Sequence, residues 1–485
     1  VRLFTTAGLI FIAAGALAEP RFSVSFPSNV FAGPFSGRVV VYLSKQSQNP
    51  RMGPDWMNPE PMFSAPFHGI SAGQVMVISD RNATCFPAGL SKVDGDYFVQ
   101  AVVDRNLGGR AIGGSEGNLF STSTKVHFEA GSNQEVPIVC DQVVPPATFV
   151  ETETVKVFKV RSALLSKFYG RPTEIKAAVA LPDPSVTKGA KLPVVYEIPG
   201  FGGSYTNFSG SRQRINTSRN GQSFIHVLLD PNVPTGHCVF ADSANNGPWG
   251  KALTTEFIPA FERKFPAIAK PSARLLRGHS SGGWSSLWLQ VAYPSIFGGV
   301  WSTSPDMVDF HHCQTIDIYA PGANAFFSSN GTKVPIAREG DKPILYFKDF
   351  SDMEAPIRGE QLGSFNAVFS PRGEDGQPKS MWDPATGAVR PDVAQTWMKY
   401  DISLILRTNW KTLGPKLKGK IHIYCGDLDT FYLDSAVRAL QDQMKTLGSD
   451  ATIEIVPGNH FTMFTPALSD RVDREMADQI KKARL

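Results

Sequence analysis

Apolar and polar positions follow two different patterns along the chain. From Arg21 to about Val144 the apolar residues come in short runs, several of them alternating: RFSVSF, GRVVVYLS, QVMVIS, DYFVQAVVD, STKVHFEA and VPIVCDQVV. Clusters of Gly, Pro, Asn and Ser separate the runs, and none repeats with a helical period. The pattern predicts a small antiparallel β-sandwich of immunoglobulin-like character. The prolines of VVPPATFVETET favour extended backbone and mark a linker.

Beyond the linker the texture changes. VKVFKVRS and EIKAAVALP predict an opening antiparallel pair. Near-continuous apolar runs then alternate with amphipathic ones: strands at PVVYEIPG, SFIHVLLD, ARLLRG, GGVWSTSP, KIHIYCG and TIEIVPG, and helices at ALTTEFIPAFERKF, GWSSLWLQVAYP, LDSAVRALQDQMKTLG and the carboxyl terminus. Apolar strands alternating with helices predict a doubly wound, mainly parallel sheet covered on both faces, an α/β fold. The long interval between STSP and LILRTNWK is too long for a structureless loop, so an inserted cap is expected around residues 306–400. It carries Phe310, Tyr319, Phe326, Phe327, Trp382, Trp397 and Tyr400, of which half or more are expected to be ordinary packing.

The first residues, VRLFTTAGLIFIAAGALAEP, run from a charge through an apolar stretch to small residues, the order of a secretory signal peptide. The expected organisation is a signal peptide over 1–18, a sandwich over 19–146 and an α/β domain over 147–485, exported to the periplasm or secreted without stable membrane insertion. A net charge of +4 with scattered basic residues argues against a nucleic-acid partner. Five cysteines without C-x-x-C spacing argue against zinc or a disulfide scaffold. Export permits disulfides, and Cys85 with Cys140 is the expected pair. The adjacent His311 and His312 diverge, and no metal is expected there.

Two G-x-S-x-G matches occur, centred on Ser115 and Ser280. Ser115 sits in a glycine-rich connection between sandwich strands with no helix after it. Ser280 follows a strand and opens a helix, the setting of a nucleophile elbow. A serine needs a base, and the base needs an orienting group. Asp427 and Asp429 stand just past the strand KIHIYCG, and His460 just past TIEIVPG. His460 is the one histidine beyond both Ser280 and that acidic loop, which gives the order serine, acid, histidine. Of the two acids, Asp429 sits where the loop can bend back toward the histidine, and Asp427 is expected to cap the turn or the helix that begins near Tyr432. The amide of Ser281 and that of Phe201 or Gly202, in the loop YEIPGFGGSY, are the expected oxyanion donors. Trp249 and His279 are candidate substrate-binding side chains.

LPVVYEIPGFGGSY, GHSSGGWSSLWLQVAYPSIFGGVWSTSP, GDLDTF and PGNHF together resemble the esterase D-type "putative esterase" branch of the α/β-hydrolases, over roughly residues 160–480. Pro199 stands where a histidine is common in that branch. The resemblance implies hydrolysis of a carboxylic ester through an acyl-enzyme, with no metal or organic cofactor, and a spacing that also selects Asp429. The expected substrate is a small-molecule or polymer-linked ester. A peptidase or acyltransferase on the same fold, or a surface-binding protein with a vestigial triad, are the alternatives.

Overall fold

A computed structural model describes residues 19–210 and 218–483, so the expected signal peptide lies outside the described residues. The chain forms two compact units. The first takes in the residues up to Gly53, then Glu60–Arg105 and Leu119–Val143; the second takes in Pro54–Pro59, Asn106–Asn118 and everything from Val144 onward.

The first unit is built of strands. Arg21–Ser25 lies between Met76–Ser79 and Glu135–Val139 in a three-stranded sheet, and a seven-stranded sheet is built around Phe35–Ser44, Met62–Ile70 and Gly95–Asp104. Both sheets contribute to one apolar core, with Phe22, Val24, Ile78 and Ile138 from the smaller and Val39, Val41, Phe63, Val99 and Val103 from the larger. Two sequence expectations need correction. Arg21–Ser25 pairs in parallel with Glu135–Val139, so the unit is not wholly antiparallel. Cys85 and Cys140 are both free thiols. Cys85 sits on a strand of the seven-stranded sheet opposite Phe63, whereas Cys140 follows the last strand of the smaller sheet and directs its Sγ to the Ala101 carbonyl.

The second unit is organised by an eight-stranded sheet: β1 Val155–Arg161, β2 Glu174–Ala180, β3 Val194–Ile198, β4 Ile225–Leu229, β5 Arg274–His279, β6 Gly299–Thr303, β7 Ile421–Gly426 and β8 Thr452–Val456. Their order across the sheet is β1-β2-β4-β3-β5-β6-β7-β8. Only β2 runs against its neighbours; from β4 to β8 every pair is parallel. The central strands are buried along most of their length, as expected where both faces of a sheet are covered.

Helix α1, Ser281–Ala292, starts at the end of β5 and stops before Pro294, which disfavours helical backbone at Tyr293. The expected helix at ALTTEFIPAFERKF is present but opens into a π turn over Leu253–Phe257. The cause is Pro259, which lacks an N–H for the carbonyl one turn back. The long interval after β6 carries its own hairpin, Pro335–Glu339 with Lys342–Tyr346, and four helices, among them α2, Gln361–Phe369. Phe310, Phe369, Trp397 and Tyr400 pack around one another and onto Trp284 and Trp288 of α1, so these aromatics form core. Helices α3, Leu433–Thr446, and α4, Pro466–Lys482, complete the unit. No helix among the described residues is long and apolar enough to cross a membrane.

Candidate active site

Parallel strands deliver their following loops to one sheet edge. Here the carboxyl ends of β3, β5, β6, β7 and β8 lead into the loops that carry Phe201, Ser280, Asp306, Asp429 and His460.

Ser280 sits between β5 and α1 with φ 58° and ψ −127°, backbone that a residue with a side chain adopts only under strain. Its N–H donates to the Thr303 carbonyl at 3.0 Å, and its own carbonyl accepts from Trp284 and Asp306 at 3.0 and 3.2 Å. These bonds hold the turn in place. The flanking glycines are steric requirements: a Cβ on Gly282 would lie 2.0 Å from the Ile198 carbonyl oxygen, and one on Gly278 would lie 2.0 Å from that of Gly282. Ser115, the other match, is buried and donates to the Ala111 carbonyl at 2.7 Å. It falls in Asn106–Asn118, within the second unit rather than among the strands where the sequence suggested it.

Of the two candidate acids, Asp429 reaches the histidine, its Oδ2 lying 2.8 Å from His460 Nδ1. Its Oδ1 accepts the Phe431 amide at 2.9 Å. Burial pushes the Asp429 carboxyl up, but the hydrogen bond and charge of His460, with the Phe431 amide, outweigh it and hold it below the usual carboxylate range. Asp427 Oδ1 instead accepts the Gly458 amide at 2.9 Å and ties the two loops together.

The His460 ring lies 4.6 Å from that of His279, the residue before Ser280, and is flanked by Phe431 at 4.9 Å and the exposed Phe461 at 5.3 Å. His279 Nδ1 pairs with Thr303 Oγ1 at 3.0 Å, and burial pushes its pKa down to about 4. Its ring packs against that of His460. Trp249 is buried, edge-on to Phe240 with its indole toward the Tyr169 hydroxyl.

No hydrogen bond among the described residues uses the amide of Phe201, Gly202 or Ser281 as donor. Several supporting residues had no local signal in the sequence. His237, pushed down to about 4 by burial, is neutral; its Nδ1 accepts the Val239 amide, so Nε2 donates to the Pro199 carbonyl at 3.0 Å. Asp306 accepts from Ser281 Oγ at 2.6 Å, and burial raises its carboxyl to about 6. Arg338, from the hairpin, donates to the carbonyl of Asp429 at 2.9 Å and to Asp434 Oδ1 at 2.7 Å. Each was brought here across more than twenty residues of chain, beyond the reach of periodicity or motif. His311, where no metal was expected, pairs with Asp317 at 3.1 Å; no group of three or more His, Cys, Asp or Glu that could hold a metal ion occurs among the described residues.

The strand order with only β2 reversed, and a strained serine between β5 and a buried helix, define an α/β-hydrolase. Within that class the chain belongs to the family described as "Putative esterase", whose model matches residues 171–473, and it is a carboxylic-ester hydrolase. No curated protein matches it. Similar solved structures include the fluorophosphonate-binding serine hydrolase F of Staphylococcus aureus, 13% identical over 67% of this chain and 98% of that one, with a TM-score of 0.39. An S-formylglutathione hydrolase from Agrobacterium tumefaciens is 14% identical over 67% and 94%, at 0.39. A ferulic acid esterase from Anaeromyces mucronatus, in complex with ferulic acid, is 16% identical over 68% and 94%, at 0.33.

Proposed function

We propose that the protein is an exported serine esterase that cleaves a small-molecule or polymer-linked carboxylic ester through an acyl-enzyme. Ser280 Oγ attacks the ester carbonyl carbon while His460 Nε2 takes its proton. The tetrahedral oxyanion is held by the amides of Ser281 and of Phe201 or Gly202. The intermediate collapses, the proton passes from His460 to the departing alcohol, and water repeats the sequence on the acyl-serine. Asp429 fixes the imidazole with Nδ1 protonated and stabilises the imidazolium.

The observation that carries this reading is the 2.8 Å contact between Asp429 Oδ2 and His460 Nδ1, because it leaves Nε2 as the free acceptor. The strained backbone at Ser280 and the unused amides on either side support it. The amino-terminal unit is read as an immunoglobulin-like accessory module, supported by two sheets around one core.

An alkyl fluorophosphonate tests the reading. The label is expected on Ser280, with Ser115 untouched, and Ser280→Ala is expected to lose both label and turnover. Recovery of the label elsewhere, or turnover by Ser280→Ala, sinks the assignment.

A further inference from the structure

At the amino terminus of α2 two adjacent side chains reach toward the two candidate halves of the oxyanion hole. Gln361 Nε2 lies 3.3 Å from Ser281 Oγ and 3.4 Å from Asp306 Oδ2. Ser281 Oγ itself donates to Asp306 Oδ2 at 2.6 Å, so the three form one network beside the residue that follows the nucleophile.

Glu360 makes a different set of contacts. Its Oε2 accepts from Trp56 Nε1 at 3.0 Å, and its Oε1 pairs with Arg110 Nη1 at 3.3 Å. The same Arg110 nitrogen donates to the Gly359 carbonyl at 3.1 Å. Both partners of Glu360 end on one ring. The Trp56 and Phe201 centroids are 5.4 Å apart, and the Arg110 guanidinium lies over Phe201 at 4.6 Å from its centroid. The guanidinium also comes within 3.9 Å of where a Cβ on Gly202 would stand.

Stability alone does not account for this arrangement. The side chains of Arg110 and Glu360 are only 16% and 9% exposed. Desolvation consumes most of the attraction of such a pair, and apolar residues of the same volume stabilise about as well. What a charge-assisted, directional pair provides is a defined geometry. Here that geometry is imposed on Phe201, and the neighbouring residue imposes one on Ser281.

We propose that Glu360–Gln361 is a positioning element for both sides of the oxyanion hole. Gln361 fixes Ser281 through its side chain and Asp306, and Glu360 fixes the Phe201–Gly202 turn through Arg110 and Trp56. Preorganised donors act on charge that exists only in the transition state, so small displacements cost rate without weakening ground-state binding. The inference rests on the reading of Ser281, Phe201 and Gly202 given above.

Gln361→Ala, Glu360→Ala and Glu360→Gln, made in the full chain, test it with three measurements. These are kcat/KM on a p-nitrophenyl ester, inhibition by an alkyl boronic acid, which binds as a tetrahedral anion, and inhibition by the matching ether, which cannot form one. Both alanine variants are expected to lose about tenfold in kcat/KM and, in parallel, in boronate affinity. Ether affinity is expected to stay within about twofold, and Glu360→Gln, which keeps one acceptor but loses the charge-assisted pair with Arg110, to recover only part of the loss. Folding is checked by thermal melting, and Gln361→Met and Arg110→Lys carry the test where an alanine variant does not fold. Parent-like kcat/KM in folded variants overturns the proposal, as does a loss that leaves boronate affinity intact. Ser280→Ala in the same assay separates the two levels. If it still turns over the ester, the reading of the site itself has failed; if it is inactive while the other variants match the parent, only the positioning role has.

Discussion

Asp429 and His460 meet with almost no access to water: their side chains are 0% and 3% exposed, and Oδ2 lies 2.8 Å from Nδ1. Asp427, two residues away in sequence, bonds only the backbone of the histidine loop in that region. Asp429→Asn leaves the imidazole in the wrong tautomer, a change that costs about 10⁴-fold in kcat in a comparable triad. The expected loss is about 10³- to 10⁴-fold for Asp429→Asn and less than about tenfold for Asp427→Asn. Steady-state kinetics on both, after circular dichroism shows them folded, decides between the acids.

The strain at Ser280 gives a second expectation. With φ 58° and ψ −127° the position suits glycine, so Ser280→Gly is expected to abolish turnover yet raise stability. The gain is about 1 kcal/mol, because glycine's greater freedom in the unfolded chain offsets part of the relieved strain. Denaturant midpoints of Ser280→Gly and Ser280→Ala separate backbone relief from loss of the hydroxyl; a glycine variant no more stable than the alanine one contradicts it.

Gly282 has no room for a methyl group. A Cβ 2.0 Å from the Ile198 carbonyl oxygen forces β3 and α1 apart. Gly282→Ala is therefore expected to destabilise by more than about 2 kcal/mol and to cost activity beyond any loss of fold, since the same carbonyl leads into the Phe201 loop. Urea unfolding and active-site titration of the folded fraction measure the two effects separately.

Asp306 carries a pH signature. Burial raises its folded pKa from an ordinary value of about 3.9 to about 6. Folding therefore takes up a proton between those values. The contribution is complete below about pH 4 and lost as pH rises through about 6, with a slope of up to about 1.4 kcal/mol per pH unit. Asp306→Asn stays neutral, so the stability of the parent relative to the variant is expected to fall between pH 4 and 7. Guanidinium denaturation at both pH values reads the difference, and a constant difference rejects it.

The candidate triad was legible because each member sits just past a strand in a fixed chain order, and strands announce themselves by apolar runs such as KIHIYCG and TIEIVPG. That Asp429 rather than Asp427 would reach the histidine was legible from where the loop can turn. Met62–Ile70 was not recognised as a strand, since Pro66 and Gly69 break its pattern. The parallel pairing of Arg21–Ser25 with Glu135–Val139 was equally hidden, because alternation reports which face is buried and not which strand lies alongside. His237, Asp306, Arg338 and Gln361 gave no signal, since a lone polar residue acquires a role only when folding supplies its partner. Cys85 and Cys140 were paired because both fall among the amino-terminal strands of a chain expected to be exported, and neither ground constrains distance.

Trp56 and Arg110 belong to the same compact unit as the esterase fold, although in sequence they lie among the strands of the other. The family match begins only at residue 171. Modular recombination at the proline-rich linker would therefore exchange more than an accessory part. A chimera with a foreign amino-terminal half would inherit new neighbours for Phe201, and its turnover would change although every residue from 171 onward stayed the same. On the proposed positioning role, the unit of inheritance for catalytic rate is larger than the segment that the family pattern marks out.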